Sequence, residues 1–267
     1  IALQNLARNS GYGDVTRLTW SMETELIKEL LPYLSPKEID GVEVYVQINE
    51  EGKSEIKQIK DGKELNSMPA KLKKHPYIEE LKAVHKKLKD QYTRSRIMLE
   101  QAMEDCTHFE ENELRKLMQN PVIWPLLKHL VFICNGQTGF YTDGLLITVN
   151  AVCLPLKPKD ELRIAHPTDL YTSGDWHAYQ KFLFDKSIRQ PFKQVFRELY
   201  VPTPEEIEAT QSRRYAGNQI QPQKTVAVLK GRRWVADYED GLQKIYYKEN
   251  IIATIYAMAD WFSPADI

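Results

Sequence analysis

The sequence is poor in features that would name a chemistry. It has no Gly-x-x-x-x-Gly-Lys-Ser/Thr loop, no Gly-x-Gly-x-x-Gly after a strand, no His-Glu-x-x-His and no Gly-x-Ser-x-Gly. Those absences exclude the usual phosphate cradle, dinucleotide fold, zinc-peptidase helix and hydrolase elbow. Cysteine is scarce, with three in 267 residues. Cys106, Cys134 and Cys153 are odd in number and widely spaced, which excludes a disulfide frame. They are expected to be buried thiols in a reducing cytoplasm. No closely spaced Cys/His pairs suggest zinc, and neither a metal nor a cofactor is expected. Neither sign of charge dominates: 36 Lys and Arg face 37 Asp and Glu, a net charge of −1. That leaves no global pull toward nucleic acid or an anionic membrane, so any basic surface must be local. No apolar run approaches the roughly 20 residues of a membrane span. The opening IALQNLARNSGYGD lacks the charged start and apolar block of a signal peptide. The chain begins at Ile1 rather than Met, and the expectation is that a longer protein continues N-terminal to it. There is no internal repeat, low-complexity tract or long linker.

What is present is an ordinary globular composition, 42% hydrophobic and 27% charged, which argues against disorder. Residues 1–34 read as helical. Leu3, Leu6 and Ala7 share one face, and Asp14 is placed to cap a second helix. In that helix Leu18, Met22, Leu26 and Leu30 recur at helical spacing until Pro32. Glu43–Ile48 and Glu55–Lys60 alternate around Asn49-Glu-Glu-Gly52 as a hairpin, and Asp61-Gly62 turns the chain again. Tyr77, Leu81, Val84 and Leu88 predict a helix from Pro76 to Met103, roughly 42 Å long at 1.5 Å per residue. A shorter helix is expected over Glu111–Gln119. Trp124–Cys134 is strongly apolar and reads as a buried helix. Gly139–Leu154 reads as strands with a turn at Asp143-Gly144, and Glu161–Ala165 as a short strand. Asp175 is placed to cap a helix carrying Trp176, Tyr179, Phe182 and Leu183. Pro191 suits the first turn of another helix, with Phe192, Val195, Phe196 and Leu199 as its buried stripe. Thr203 with Glu206 forms a capping box, and Pro222 opens a helix to Lys230. Strands are expected over Trp234–Tyr238, Leu242–Tyr247 and Ile251–Met258, hinged at Glu249-Asn250.

Together these elements predict an α+β chain. A helical N-terminal part (1–120), with one β-hairpin and the long amphipathic helix, packs on a mixed, mainly antiparallel sheet section with helices (121–267). A soft boundary is expected near Asn120-Pro121, and one single domain remains the alternative.

Arg163–Tyr200 concentrates side chains able to form a site. His166 follows a short strand and precedes Pro167, where backbone geometry is restricted. It reads either as a general base or anion ligand, or as a histidine hydrogen-bonded into a turn. His177, beside Trp176 on a helix, reads as exposed. Gln190, Gln194, Arg197 and Glu198 offer amides, a guanidinium and a carboxylate that suit an anionic ligand, or equally a buried polar network. Arg213, Arg214 and Tyr215 add either a second anion contact or an exposed loop, and Trp176 and Trp234 either stacking platforms or core. Lys71, Lys73, Lys74, Lys82, Lys86, Lys87, Lys89, Arg94 and Arg96 lie on or just before the long helix. They form either a solvated face or a phosphate-binding stripe, with few aromatic residues among them for base stacking.

Several stretches together resemble a bacterial family, the MolR-like domain of unknown function often found downstream of a WGR domain. They are Leu18-Thr-Trp-Ser-Met-Glu23, Asp61-Gly62-Lys63, Leu99-Glu100-Gln-Ala-Met103, Ala165-His-Pro167, Gln190-Pro-Phe-Lys-Gln194 with Arg197, Glu198 and Tyr200, and Arg232-Arg-Trp234. The resemblance implies no catalytic residues, and its frequent neighbour implies a nucleic-acid or stress-related setting for the longer protein. Three readings follow. The first is an intracellular binding or regulatory module that recognises a partner or an anionic ligand through a groove lined by His166, Gln194, Arg197 and Arg213. The second is an enzyme with His166 as acid/base, Glu198 or Asp175 as its orienting carboxylate, and Arg197 as an anion clamp. The third is nucleic-acid binding through the lysine-rich helix.

Overall fold

Helices α1 (Ala2–Asn9) and α2 (Val15–Leu30) open the chain, followed by a 3-10 turn at Leu31–Leu34. The structure, a computed structural model, describes residues 2–13, 15–237, 241–246 and 250–255. Strands β1 (Lys37–Ile39), β2 (Val42–Ile48), β3 (Ser54–Lys60) and β4 (Lys63–Glu64) form an antiparallel sheet in that order. The expected hairpin is its centre, with Ile48 opposite Ser54. Asn49 shapes the loop, its side-chain oxygen accepting from the backbone N–H of Glu51 and Lys53. Gly52 sits there at φ +81°, so close that a Cβ would lie 2.6 Å from the carbonyl oxygen of Val122.

The long helix α3 (Pro76–Glu104) runs 29 residues. Its N-terminal half buries Ile78, Leu81, Val84 and Leu88 against Val42, Val44 and Val46 of the first sheet and Ile27 and Leu30 of α2. Each such buried side chain contributes on the order of 1.5–3 kcal/mol. Its C-terminal half carries Leu99, Ala102 and Met103 into a second core.

That second core rests on a six-stranded sheet. β5 (His108–Glu110), β6 (Val131–Cys134), β7 (Gln137–Thr142), β8 (Leu145–Ile147), β9 (Cys153–Pro155) and β10 (Glu161–Ile164) are arranged β5-β10-β6-β7-β8-β9. α4 (Glu111–Leu117) and the single turn α5 (Trp124–Leu127) share the face that packs Phe132, Tyr141 and Leu162 with α3. The opposite face, with Val131, Ile133 and Phe140, is covered by α6 (Pro167–Ser173) and α7 (Trp176–Asp185), which supply Leu170, Tyr179 and Leu183. Downstream lie α8 (Pro204–Ala209), α9 (Pro222–Lys230) and an antiparallel sheet of β11 (Val235–Asp237), β12 (Gly241–Tyr246) and β13 (Ile251–Ile255).

The chain is therefore α+β. Every strand pair among the described residues is antiparallel, where a mixed sheet is the expectation. The chain divides into compact units at Ile1–Leu199 and Tyr200–Ile267. No division falls at Asn120-Pro121, because Leu99 and Leu114 share a core with Phe132 and Ile164 across that point.

Four local expectations are corrected. The apolar run Trp124–Cys134 is a single helical turn followed by β6, not one buried helix. A short apolar run looks the same in either state, and here pairing with β7 and β10 decides for strand. The segment after Pro191 is irregular rather than helical. Phe192 and Val195 are buried as expected, but Phe196 is exposed. On α2 the buried stripe is Leu18, Trp20, Glu23, Ile27 and Leu30, while Met22 is exposed. Glu23 is tolerated inside because Gln91 donates to its carboxylate at 2.9 Å and Arg94 pairs with it at 2.9 Å. Of the three free thiols only Cys134 is buried; Cys106 is half-buried and Cys153 exposed. Asp14, Tyr238, Tyr247, Glu249 and Met258, named in the expected caps and strands, lie outside the described residues.

Candidate functional site

His166 lies where β10 ends and α6 begins. Pro167 occupies the first helical position, and His166 is the extended N-cap residue before it, at φ −76° and ψ 152°. The ring Nδ1 accepts the backbone N–H of Thr168 at 3.2 Å and also meets the Thr168 hydroxyl. Asp169 completes a capping box by accepting the His166 backbone N–H at 2.8 Å. The same carboxylate takes two bonds from Arg163 on β10, at 2.5 and 2.6 Å.

The charges around the ring are mixed. Burial pushes the His166 pKa below its ordinary value; Asp169 and Glu104 oppose that, and Arg197 and Arg163 reinforce it. Burial works against the charge on Asp169 as well, but Arg163 and the His166 N–H more than offset it and hold that carboxyl low. Hydrogen bonding to Asp169 raises the Arg163 pKa. The imidazole is therefore neutral near pH 7. With Nδ1 accepting from a backbone N–H, its proton resides on Nε2. A ring in that state has no nitrogen left to serve as a base while the cap holds.

Arg197 does come near His166, close enough for its charge to disfavour protonation of the ring. Its guanidinium, however, is already paired with Glu100 at 2.5 Å and Glu104 at 3.3 Å, both on α3. Glu198, the expected orienting carboxylate, is exposed and makes no hydrogen bond to His166 among the described residues. Asp175 accepts instead from Thr138. The carboxylate that belongs to His166 is Asp169, which residue type alone does not single out. His166-Pro-Thr-Asp169 carries the signal for it, an acidic residue three positions after a polar N-cap.

Gln190, Gln194 and Trp176 face inward rather than toward a ligand. The fully buried Gln194 mimics a strand partner: its oxygen accepts the Val131 N–H at 2.9 Å, and its amide donates to Val131 O at 2.7 Å and Ala165 O at 2.8 Å. The Gln190 amide donates to His129 O and to the Gln194 oxygen, while its oxygen accepts the Val195 N–H. Trp176 Nε1 and Gln180 Nε2 both donate to Val195 O. These bonds explain why no helix forms after Pro191. The amides strap an irregular segment to β6 and to the end of β10, and the strap then returns Arg197 to α3. Such a network is stable because its members are matched.

His177 is exposed, stacked on Trp176 and bonded to Gln180. Arg213 belongs to the second unit and is exposed. In that unit Arg214 lies 4.2 Å over the Tyr200 ring, and Tyr200 donates to Glu206 at 2.5 Å. That bond, with those from the Thr203 backbone and Ser212, holds the Glu206 pKa down to about 2. No cluster of three or more His, Cys, Asp or Glu suited to a metal occurs among the described residues.

The outer face of α3 is also open to solvent. Lys82, Lys86, Lys87, Lys89, Arg94 and Arg96 are all exposed there. Lys82 pairs with Glu79 at 2.7 Å, and Arg94 with Glu23. Lys86, Lys87, Lys89 and Arg96 form no ion pair with a described residue. No helix among the described residues is long and apolar enough to cross a membrane.

Comparison with known proteins gives two family matches. The family described as Family of unknown function (DUF5724) matches residues 1–22. The family described as Domain of unknown function (DUF4132) matches residues 62–234, from the turn between β3 and β4 to the residue before β11. No curated protein and no solved structure matches the chain. With well over half of its length matched, the chain belongs to the DUF4132 family.

Proposed function

We propose that this chain is a binding module for an anionic partner, with the exposed face of α3 as its contact surface. The observation that supports this is segregation of charge. The chain as a whole is close to neutral, yet four cations without an ion-pair partner among the described residues share about three turns of one rigid helix. Just before that helix Lys71, Lys73 and Lys74 are also exposed, around the buried Leu72. The anion groove expected around His166, Gln194 and Arg197 does not serve, because the amides are spent on backbone and the guanidinium on two carboxylates. The acid/base reading of His166 loses its support for the same kind of reason. A cytoplasmic location belongs to this proposal, as do the resemblance to MolR-like domains and the WGR neighbour it implies.

The test is binding of fluorescent polyanions at low and moderate salt: duplex DNA, polyglutamate and vesicles rich in anionic lipid. Saturable binding of at least one of them, weakened by Lys86→Glu with Lys89→Glu, supports the module. Absence of binding to all three, or binding indifferent to those substitutions, overturns it.

A further inference from the structure

We infer that the anionic partner is duplex nucleic acid, gripped through its phosphodiester backbone without reading of sequence. This rests on the binding-module reading above and names the partner of the same surface. On a helix of 3.6 residues per turn, Lys82, Lys86, Lys89, Thr93 and Arg96 fall within about 80° of one another. The stripe they form extends roughly 21 Å at 1.5 Å per residue. Four cations along one side of a long helix, interrupted only by Thr93, fit a ligand whose charges are also repeated along its length. A compact anion asks for the opposite, a concave site with converging donors, and the α3 face is convex. Lysine dominates the stripe, and it binds phosphate as a point charge rather than as a planar fork. That favours neutralisation over recognition of base edges, which calls for bidentate groups.

The side chains between the cations decide between duplex and single strand. From Lys82 to Arg96 the exposed positions are Lys, Ala, Thr, Asp and Arg, with no aromatic ring. Binding to single strands leans on aromatic platforms, each worth about 1–3 kcal/mol per stacked base. The aromatic pair nearest in sequence, Tyr33 and Tyr77, is not available to replace them. The two rings stack on each other at 5.7 Å, Lys37 lies 4.0 Å over Tyr77, and both rings pack against the first core. Without stacking, affinity follows charge density, which is higher in the duplex. Asp90 lies within the basic face and Glu79 pairs with Lys82. Those acids lower affinity, so the contact is modest and salt-sensitive.

Fluorescence anisotropy with mixed-sequence duplex DNA, the matching single strand, polyglutamate and anionic vesicles tests this. The expected result is duplex binding independent of sequence. Its log–log salt slope should be near −3, as about three to four phosphate contacts give. Changing Lys82, Lys86, Lys89 and Arg96 together to Glu should weaken duplex binding by roughly 100-fold or more, with an unchanged unfolding transition. Changing Asp90→Lys should tighten it several-fold, a gain that misfolding cannot mimic. Tighter binding to the single strand, to polyglutamate or to vesicles than to the duplex would overturn this inference and leave the binding module standing. Failure of all four probes would remove both.

Discussion

Replacing Gln194 by Leu separates a strap from a ligand site. Leucine is close in volume but can neither donate nor accept. The Val131 N–H and the Ala165 C=O would lose the bonds they now share with this side chain, at 2.9 and 2.8 Å. Val131 O would keep its bond from Ala165 N at 2.9 Å. Two buried backbone groups left unpaired cost about 1–3 kcal/mol each. The added apolar burial offsets part of that, so the net loss is about 2–4 kcal/mol, a sizeable part of a typical domain's stability. Urea unfolding followed by tryptophan fluorescence measures it, and Trp176 reports from within the same strap because its indole N–H bonds Val195 O. Gln194→Glu gives a control of opposite logic. Its carboxylate would set acceptors against the carbonyls of Val131 and Ala165, and the defect should ease as pH falls and the protonated acid regains one donor. If Gln194→Leu unfolded within about 0.5 kcal/mol of the parent, as a surface change would, the strap argument would be wrong and a ligand role would return.

Two further outcomes test neighbouring features. The folded His166 pKa lies below its ordinary value of 6.5. Above pH 6.5 the ring is neutral folded and unfolded, and its contribution is complete. As pH falls through 6.5 the unfolded ring takes the proton first, so stability declines until the lower folded pKa is reached and then levels off. His166→Asn keeps a good N-cap without that titration, so the difference between the two stability–pH curves should change over that window; a flat difference would refute the assignment. At the hairpin loop, Gly52→Ala meets both a left-handed φ of +81° and a carbonyl oxygen 2.6 Å from the new methyl. A loss of more than about 1 kcal/mol in the same urea assay is expected, and a neutral result would mean the loop moves away from Val122 at little cost.

Where the deciding interactions are local, the sequence showed the fold well. The α3 periodicity, the Asn49–Gly52 and Asp143-Gly144 turns, and the box of Thr203 with Glu206 are each settled within a few residues, and each is found as expected. The errors occur where a distant partner decides. Val131–Cys134 is a strand because Phe140 and Ile164 lie beside it. The residues after Pro191 escape a helix because side-chain amides bind backbone some 60 residues away in sequence. Glu23, not Met22, faces inward because Gln91 and Arg94 bind its carboxylate.

The candidate site fails for a related reason. Glutamine, arginine and histidine recognise a ligand with the same donors and acceptors that they turn on a carbonyl or a helix end. A group of such residues in one stretch therefore says that polar atoms are to be satisfied, not by whom. Arg163–Tyr200 gathers them because an irregular segment must be held against β6, and an irregular segment has no ladder of its own to do so. The α3 lysines raise the reverse problem. Their spacing is plain, but only the exposure of the face and the pairing of Lys82 and Arg94 show which cations lack an ion-pair partner among the described residues. That accounting of partners, rather than residue type, is what moves the proposed contact surface from the strap to the helix.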